Sequence, residues 1–170
     1  LKMQRMSIWP KQSECPAFYG AHRNGGEADP EWEAKNLTTI IPPYTMFWSW
    51  NNQPVKTLRV HKKCADAMLQ ALTDIGRTFS PAELDYYDLR QCGGAYNFRP
   101  MRGGGLLSMH AYGCAIDLAP VLNPLGKRWM PDTRMMPVEA VKCFQKLGAV
   151  WGGDFVSRPD CMHFQFASVK

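Results

Sequence analysis

Two short stretches of the chain carry side chains able to do chemistry: "SMHAYGCAIDLAP" (108–120) and "DCMHFQF" (160–166). Together they hold two of the four histidines, His110 and His163, and two aspartates, Asp117 and Asp160, all within apolar runs. Two imidazoles and one carboxylate around an open fourth position form the ligand set of a catalytic zinc. The nitrogen–oxygen mix favours zinc over magnesium or calcium. Asp160, just ahead of His163, is placed to take a proton from an activated water without being a ligand. A plainer reading fits the same residues. A buried histidine can be a hydrogen-bonded core group, and an aspartate before a strand can be a turn residue. Spacing alone leaves both readings open.

Strand alternation shows how the elements would position these groups. In "GCAIDLA", Cys114, Ile116 and Leu118 point one way, and Ala115, Asp117 and Ala119 the other. In "CMHFQFA", Met162, Phe164 and Phe166 share one face, and His163, Gln165 and Ala167 the opposite one. Each strand thus offers an apolar face to a core and a second face with one ligand-type residue among small or neutral neighbours. Pairing the two strands with those second faces aligned puts Asp117 beside His163. His110 would enter from the turn before the first strand.

Around these strands, residues 1–55 read as an irregular wrap rich in Pro, Gly, Trp and Asn, with a short helical turn near 31–36. The aromatics Trp32, Tyr44, Phe47, Trp48 and Trp50 argue for order, because such side chains need burial. Val60, Cys64, Met68, Leu72 and Ile75 recur on one helical face, which predicts a helix over 60–77. Residues 78–91 read as a connection, "GGAYNFRPM" as a strand, and "RGGGLLS" as a loop. A second amphipathic helix is expected over 138–147, stopped by Gly148, followed by a short strand in "AVWGGDF". Strands and helices do not alternate regularly. The expected fold is therefore α+β, with a small, mainly antiparallel sheet packed against helices, in a single domain over 1–170.

Composition narrows the class. The chain has 170 residues and 45% hydrophobic content, enough for one sizeable core. No apolar run approaches the roughly 18 residues of a membrane helix. The N-terminal stretch, which begins with Leu1, has no apolar segment of the signal-peptide kind, as expected of a processed form or a fragment. The net charge of +5 suits an anionic partner: nucleic acid, an anionic membrane or a bacterial cell wall would all qualify. No dense basic run or groove-reading motif points to nucleic acid. Six cysteines without a CxxC pair read mostly as small buried residues, with one disulfide involving Cys64 or Cys92 left open.

"SMHAYGCAIDLAP" resembles the S-x-H-x-x-G-x-A-x-D signature of the zinc D-alanyl-D-alanine carboxypeptidase and L-alanyl-D-glutamate peptidase family. "DCMHF" resembles its closing D-x-x-H-F element, with "WGGDF" just upstream. "CPAFYG", "NLTTIIPPY", "PVKTLRVHKKCADAMLQAL" and "GGAYNFRPMRGGGLLSMH" are similar to the subfamily of phage endolysins and bacterial wall-remodelling peptidases. The resemblance implies a hedgehog-like or DD-peptidase-like fold binding one zinc ion through His110, Asp117 and His163. It makes Asp160 the general base and assigns an oxyanion-stabilising arginine, either Arg99 or Arg102. Ser108 would cap the turn and orient His110. Gly113 would leave space beside the metal or supply a special backbone angle. Tyr112 and Trp151 would line the cleft or belong to the core, and Asp154 would be a turn residue. The implied activity is hydrolysis of peptidoglycan stem peptides, as an L-alanyl-D-glutamate or related endopeptidase. The alternatives are a D-alanyl-D-alanine carboxypeptidase or a non-catalytic binding protein on the same scaffold. The implied workplace is the bacterial envelope, for a phage-encoded, secreted or cellular enzyme, with the protein acting as a monomer.

Overall fold

The computed structural model describes residues 8–23, 26–100 and 106–170. In chain order the elements are α1 (Cys15–Tyr19), α2 (Pro30–Asn36), β1 (Leu37–Ile40), β2 (Phe47–Trp48), β3 (Leu58–His61), α3 (Ala65–Thr78), α4 (Pro81–Tyr86), β4 (Gln91–Gly94), β5 (Ala115–Leu118), α5 (Val138–Gln145), β6 (Val150–Trp151) and β7 (His163–Gln165). Strands β1 and β3 form an antiparallel pair. The other strands form a five-stranded sheet in the order β2-β4-β5-β7-β6. Among the described strands of this sheet, β2 and β4 pair in parallel and the other neighbours pair antiparallel. The fold is α+β and mainly antiparallel, as expected from the sequence.

One face of the sheet carries the core. Ile116 of β5 stands opposite Phe164 of β7, and both are fully buried. Phe144 of α5 stacks on Phe164 with ring centroids 4.1 Å apart. Helix α3 adds Met68, Ala71, Leu72 and Ile75 and packs against α5. Each large apolar side chain buried here contributes roughly 1.5–3 kcal/mol. That gain holds the central strands rigid while their other face carries polar groups.

Several boundaries differ from the sequence reading. The helix expected from Val60 begins at Ala65, and Val60 lies in β3. Leu58 and Val60 are buried while Arg59 between them is exposed, so period-2 pairing with β1 prevails over the helical spacing. The connection expected over 78–91 contains α4. Ser80 Oγ accepts from Glu83 N, and the Glu83 carboxylate accepts from Ser80 N, with Pro81 in the first turn. The strand expected in "GGAYNFRPM" ends at Gly94, where φ is 134°. All six cysteines are free and buried, so the disulfide left open for Cys64 or Cys92 is not formed.

The N-terminal wrap is ordered over its described residues and contains α1, α2, β1 and β2. It ties itself to the last strand at several points. Tyr19 donates its hydroxyl to the Phe166 carbonyl at 2.7 Å, and Gln12 N donates to the Ser168 carbonyl at 2.8 Å. Trp9 packs on Phe166, with ring centroids 4.8 Å apart.

Candidate metal centre

The pairing of β5 with β7 sets Asp117 directly opposite His163, one step along from the core pair Ile116 and Phe164. The same register that buries the phenylalanine therefore turns both polar groups to the opposite face. His110 arrives from a 3₁₀ turn, Met109–Tyr112, capped by Ser108, whose Oγ accepts from His110 N at 3.2 Å. Gly113 ends the turn at φ 68°, and a Cβ there would lie 2.6 Å from His61 N. Glycine is needed for that backbone angle and for the close approach of β3, while the space it leaves faces His61 and Leu37.

One ligand-type atom each from His110, Asp117 and His163 fall within 4.8 Å of one another. His163 Nδ1 stands 3.0 Å from Asp117 Oδ1, and His110 Nε2 stands 3.2 Å from Asp117 Oδ2. His110 is 3% exposed, and its Nε2 is buried.

Hydrogen bonding decides where the His110 proton resides. After β4 the chain leaves the sheet and runs beside the 3₁₀ turn, with Asn97 N donating to the His110 carbonyl at 3.1 Å. That path presents the Ala95 carbonyl to His110 Nδ1 at 2.7 Å. A carbonyl only accepts, so Nδ1 carries a proton. In the neutral ring Nε2 is then a bare lone pair, buried without a hydrogen-bond partner and facing a carboxylate. Two acceptors at that distance are unfavourable unless a cation lies between them or the ring is protonated. A divalent metal fits this donor set, which holds imidazole nitrogen and carboxylate oxygen in the mix typical of zinc.

The electrostatics agree. Burial pushes the Asp117 carboxyl up, but the His110 charge and hydrogen bonds from both imidazoles outweigh it and hold the group well below the usual carboxylate range. Burial pushes the His163 imidazole down, but the Asp117 hydrogen bond and charge outweigh it and raise the pKa. Metal-free, the cluster attracts positive charge, which a proton or a metal ion can supply.

A cleft of about 1060 Å³ opens over the cluster. Asp160, Arg99, Arg158 and Asp154 line it beside the three ligand-type residues. Asp160 is anchored through its backbone: its N–H donates to the Gly152 carbonyl at 2.8 Å, and its carbonyl accepts from His163 N at 3.0 Å. Arg99 borders the cleft outside any regular strand, and Ser108 N donates to its carbonyl at 3.0 Å. Arg102, the other arginine considered, lies outside the described residues. Tyr112 and Trp151 belong to the core. Tyr112 packs near Tyr19 and His22, and Trp151 donates Nε1–H to the Cys161 carbonyl at 2.9 Å.

Two residues without an assigned role in the sequence reading prove important to the geometry. Gly152 lies against Asp160 and His163, and a Cβ there would overlap the Asp160 carbonyl. The adjacent glycines of "WGGDF" were the only signal. Gln165 accepts at Oε1 from the second ring nitrogen of His163, at 2.8 Å. Its position two residues after His163 on a strand was the available clue.

Comparison with known families places a match on this region. A family model described as D-alanyl-D-alanine carboxypeptidase matches residues 102–166. That segment, under half of the chain, contains His110, Asp117, Asp160 and His163. It supports assignment to a peptidase family. No curated protein and no solved structure gives a significant match to the chain.

Proposed function

We propose that this chain is a zinc-dependent peptidase acting on the stem peptides of peptidoglycan, with a hedgehog-like or DD-peptidase-like catalytic domain spanning its length. The observation that carries the metal reading is the fixed His110 tautomer, which aims a buried bare nitrogen at the Asp117 carboxylate. His110, Asp117 and His163 would hold the ion. A zinc ion bound there supplies Lewis-acid polarisation of the scissile carbonyl and a water acidic enough to deprotonate near neutral pH. Asp160, beside the cluster in the cleft, takes the proton from the attacking water and passes it to the leaving amine. Arg99 offsets negative charge developing on the carbonyl oxygen. The paired strands hold Asp117 and His163 in place before substrate arrives, and the capped 3₁₀ turn holds His110, so little reorganisation of these three is needed.

We favour an endopeptidase of the L-alanyl-D-glutamate type, on the subfamily resemblance of the motifs. The description of the matching family favours a second reading, removal of a terminal D-alanine. Arg99 and Arg158 along the cleft give that reading a means of gripping a terminal carboxylate. The net charge of +5 suits an anionic polymer, and the proposed workplace is the bacterial envelope. Among the described residues, no helix is long and apolar enough to cross a membrane.

The deciding experiment incubates purified, zinc-replete protein with intact peptidoglycan, with and without a chelator, and identifies products by mass spectrometry. New amino termini at D-glutamate indicate the endopeptidase, and released D-alanine the carboxypeptidase. Absence of any release refutes the enzyme reading. Asp160→Ala should retain zinc and lose about 10²–10⁴-fold in rate, the usual contribution of general acid–base catalysis. His163→Ala should lose the metal itself.

A further inference from the structure

We propose that Gln165 is a positioning residue for the metal centre, fixing the ring proton of His163 on Nε2 and leaving Nδ1 as its only free ring nitrogen. The inference rests on the metal reading of the site and extends it to a residue outside the ligand set.

Gln165 is 1% exposed, so each of its polar atoms depends on a protein partner. Its amide nitrogen lies 2.8 Å from the Ala167 carbonyl and 2.8 Å from Gln12 Oε1. Its oxygen lies 2.8 Å from His163 Nε2. An amide can in principle be turned end for end, but here the surroundings choose one orientation. The Ala167 carbonyl can only accept, so the NH₂ group must face it. The oxygen must then face His163, and Nε2 must carry a proton to donate. The reverse orientation would set two acceptors against each other at Ala167 and leave a buried oxygen unsatisfied, at a cost of about 1–3 kcal/mol.

The consequence falls on the other ring nitrogen. With its proton fixed on Nε2, the neutral ring presents a lone pair at Nδ1, 3.0 Å from Asp117 Oδ1. His110 reaches the same condition through a backbone carbonyl, whereas His163 reaches it through a side chain that substitution can remove. Gln12 supports the arrangement from the N-terminal segment, and its own backbone N–H is held by the Ser168 carbonyl. The resulting line, Gln12 to Gln165 to His163 to Asp117, joins three separate segments of the chain.

The test compares wild type, Gln165→Met and Gln165→Glu. Two quantities are read: zinc affinity by chelator competition, and the His163 tautomer from ¹⁵N spectra of the metal-free protein above the histidine titration. Circular dichroism confirms folding of each variant. Wild type should show the proton on Nε2. Gln165→Met should show a mixed tautomer and bind zinc about 10–100-fold more weakly, the usual cost of losing a partner that orients a ligand. Gln165→Glu keeps an acceptor toward Nε2 and should keep that tautomer and more affinity than Gln165→Met, at a cost in stability because its second oxygen faces the Ala167 carbonyl. The proposal is overturned if Gln165→Met keeps both the wild-type tautomer and the wild-type affinity, or if wild type carries its proton on Nδ1. Failure of the metal reading gives a different result: a wild-type chain that takes up no zinc while the tautomers still follow residue 165. That outcome supports the positioning role and removes the metal.

Discussion

Alanine at position 152 should disable the site without replacing a proposed ligand. A Cβ on Gly152 would overlap the Asp160 carbonyl oxygen and lie 3.0 Å from Asp160 Cβ and 3.1 Å from His163 Cβ. The overlapped atom is backbone, so rotating a side chain cannot relieve it. That carbonyl also accepts from His163 N, and Asp160 N in turn donates to the Gly152 carbonyl. Relief therefore moves the proposed base and one proposed ligand together. Forcing a methyl group into a packed site costs about 1–3 kcal/mol of stability. A displacement of about 1 Å among reacting groups costs about 10²-fold in rate, which is about 2.7 kcal/mol on the barrier. The assay is kcat/KM on peptidoglycan or defined stem peptides, together with the melting temperature and zinc content of the purified variant. Gly26→Ala is the control: φ there is 89° and nothing lies within 4 Å of the added Cβ, so it brings only backbone strain at a residue that does not line the cleft. A Gly152→Ala variant with wild-type melting and a rate within about twofold of wild type would refute the packing argument.

Three further outcomes are expected. In the metal-free protein, the raised His163 pKa contributes stability that is full below its ordinary value, about 6.5, and lost as pH rises through the raised value. The lowered Asp117 pKa contributes stability that is present above about 3.9 and lost as pH falls through the lowered value. Urea unfolding should therefore show a gap between wild type and Asp117→Asn that narrows from about pH 6 to pH 9, and a widening gap contradicts the assignment. Ser80→Ala should cost about 1 kcal/mol through loss of the α4 cap, lowering the melting temperature by about 2–4 °C with hydrolysis unchanged. All six thiols are buried, so they should react with a thiol reagent only after unfolding, and rapid labelling of the native protein would contradict the packing.

The features legible in the sequence were those set by local period. Alternation in "GCAIDLA" and "CMHFQFA" separated core from polar faces, and the structure pairs those faces as expected. Helix α3 was visible from its apolar stripe, but its start was not. Val60 satisfies helical and strand patterns equally, and only the partner strand β1 decides between them. Helix α4 was readable from Ser80, Pro81 and Glu83, whose capping signature was overlooked in an acidic stretch. The roles of Ala95 and Gly152 were not legible. Ala95 contributes a carbonyl, which no side chain advertises, and Gly152 contributes an absence of bulk against Asp160 and His163, where the turn folds back on itself. Gln165 lies between these cases. Its face was predicted, but its bond to His163 depends on Ala167 and Gln12 filling its other positions.

The pairing of Asp117 with His163 has a consequence for folding fidelity. Slipping β7 by one residue against β5 would turn His163 toward the helices and bring an apolar neighbour to the cleft face. Such a misaligned chain could still collapse, yet it would lack one of the three proposed ligands. On the proposed metal reading, zinc uptake would proofread strand alignment, because only correctly paired molecules would gain binding energy from the ion. Adding zinc during refolding should then pull a mixed population toward the aligned form, and stoichiometric retention would report on the fold as well as on the proposed centre.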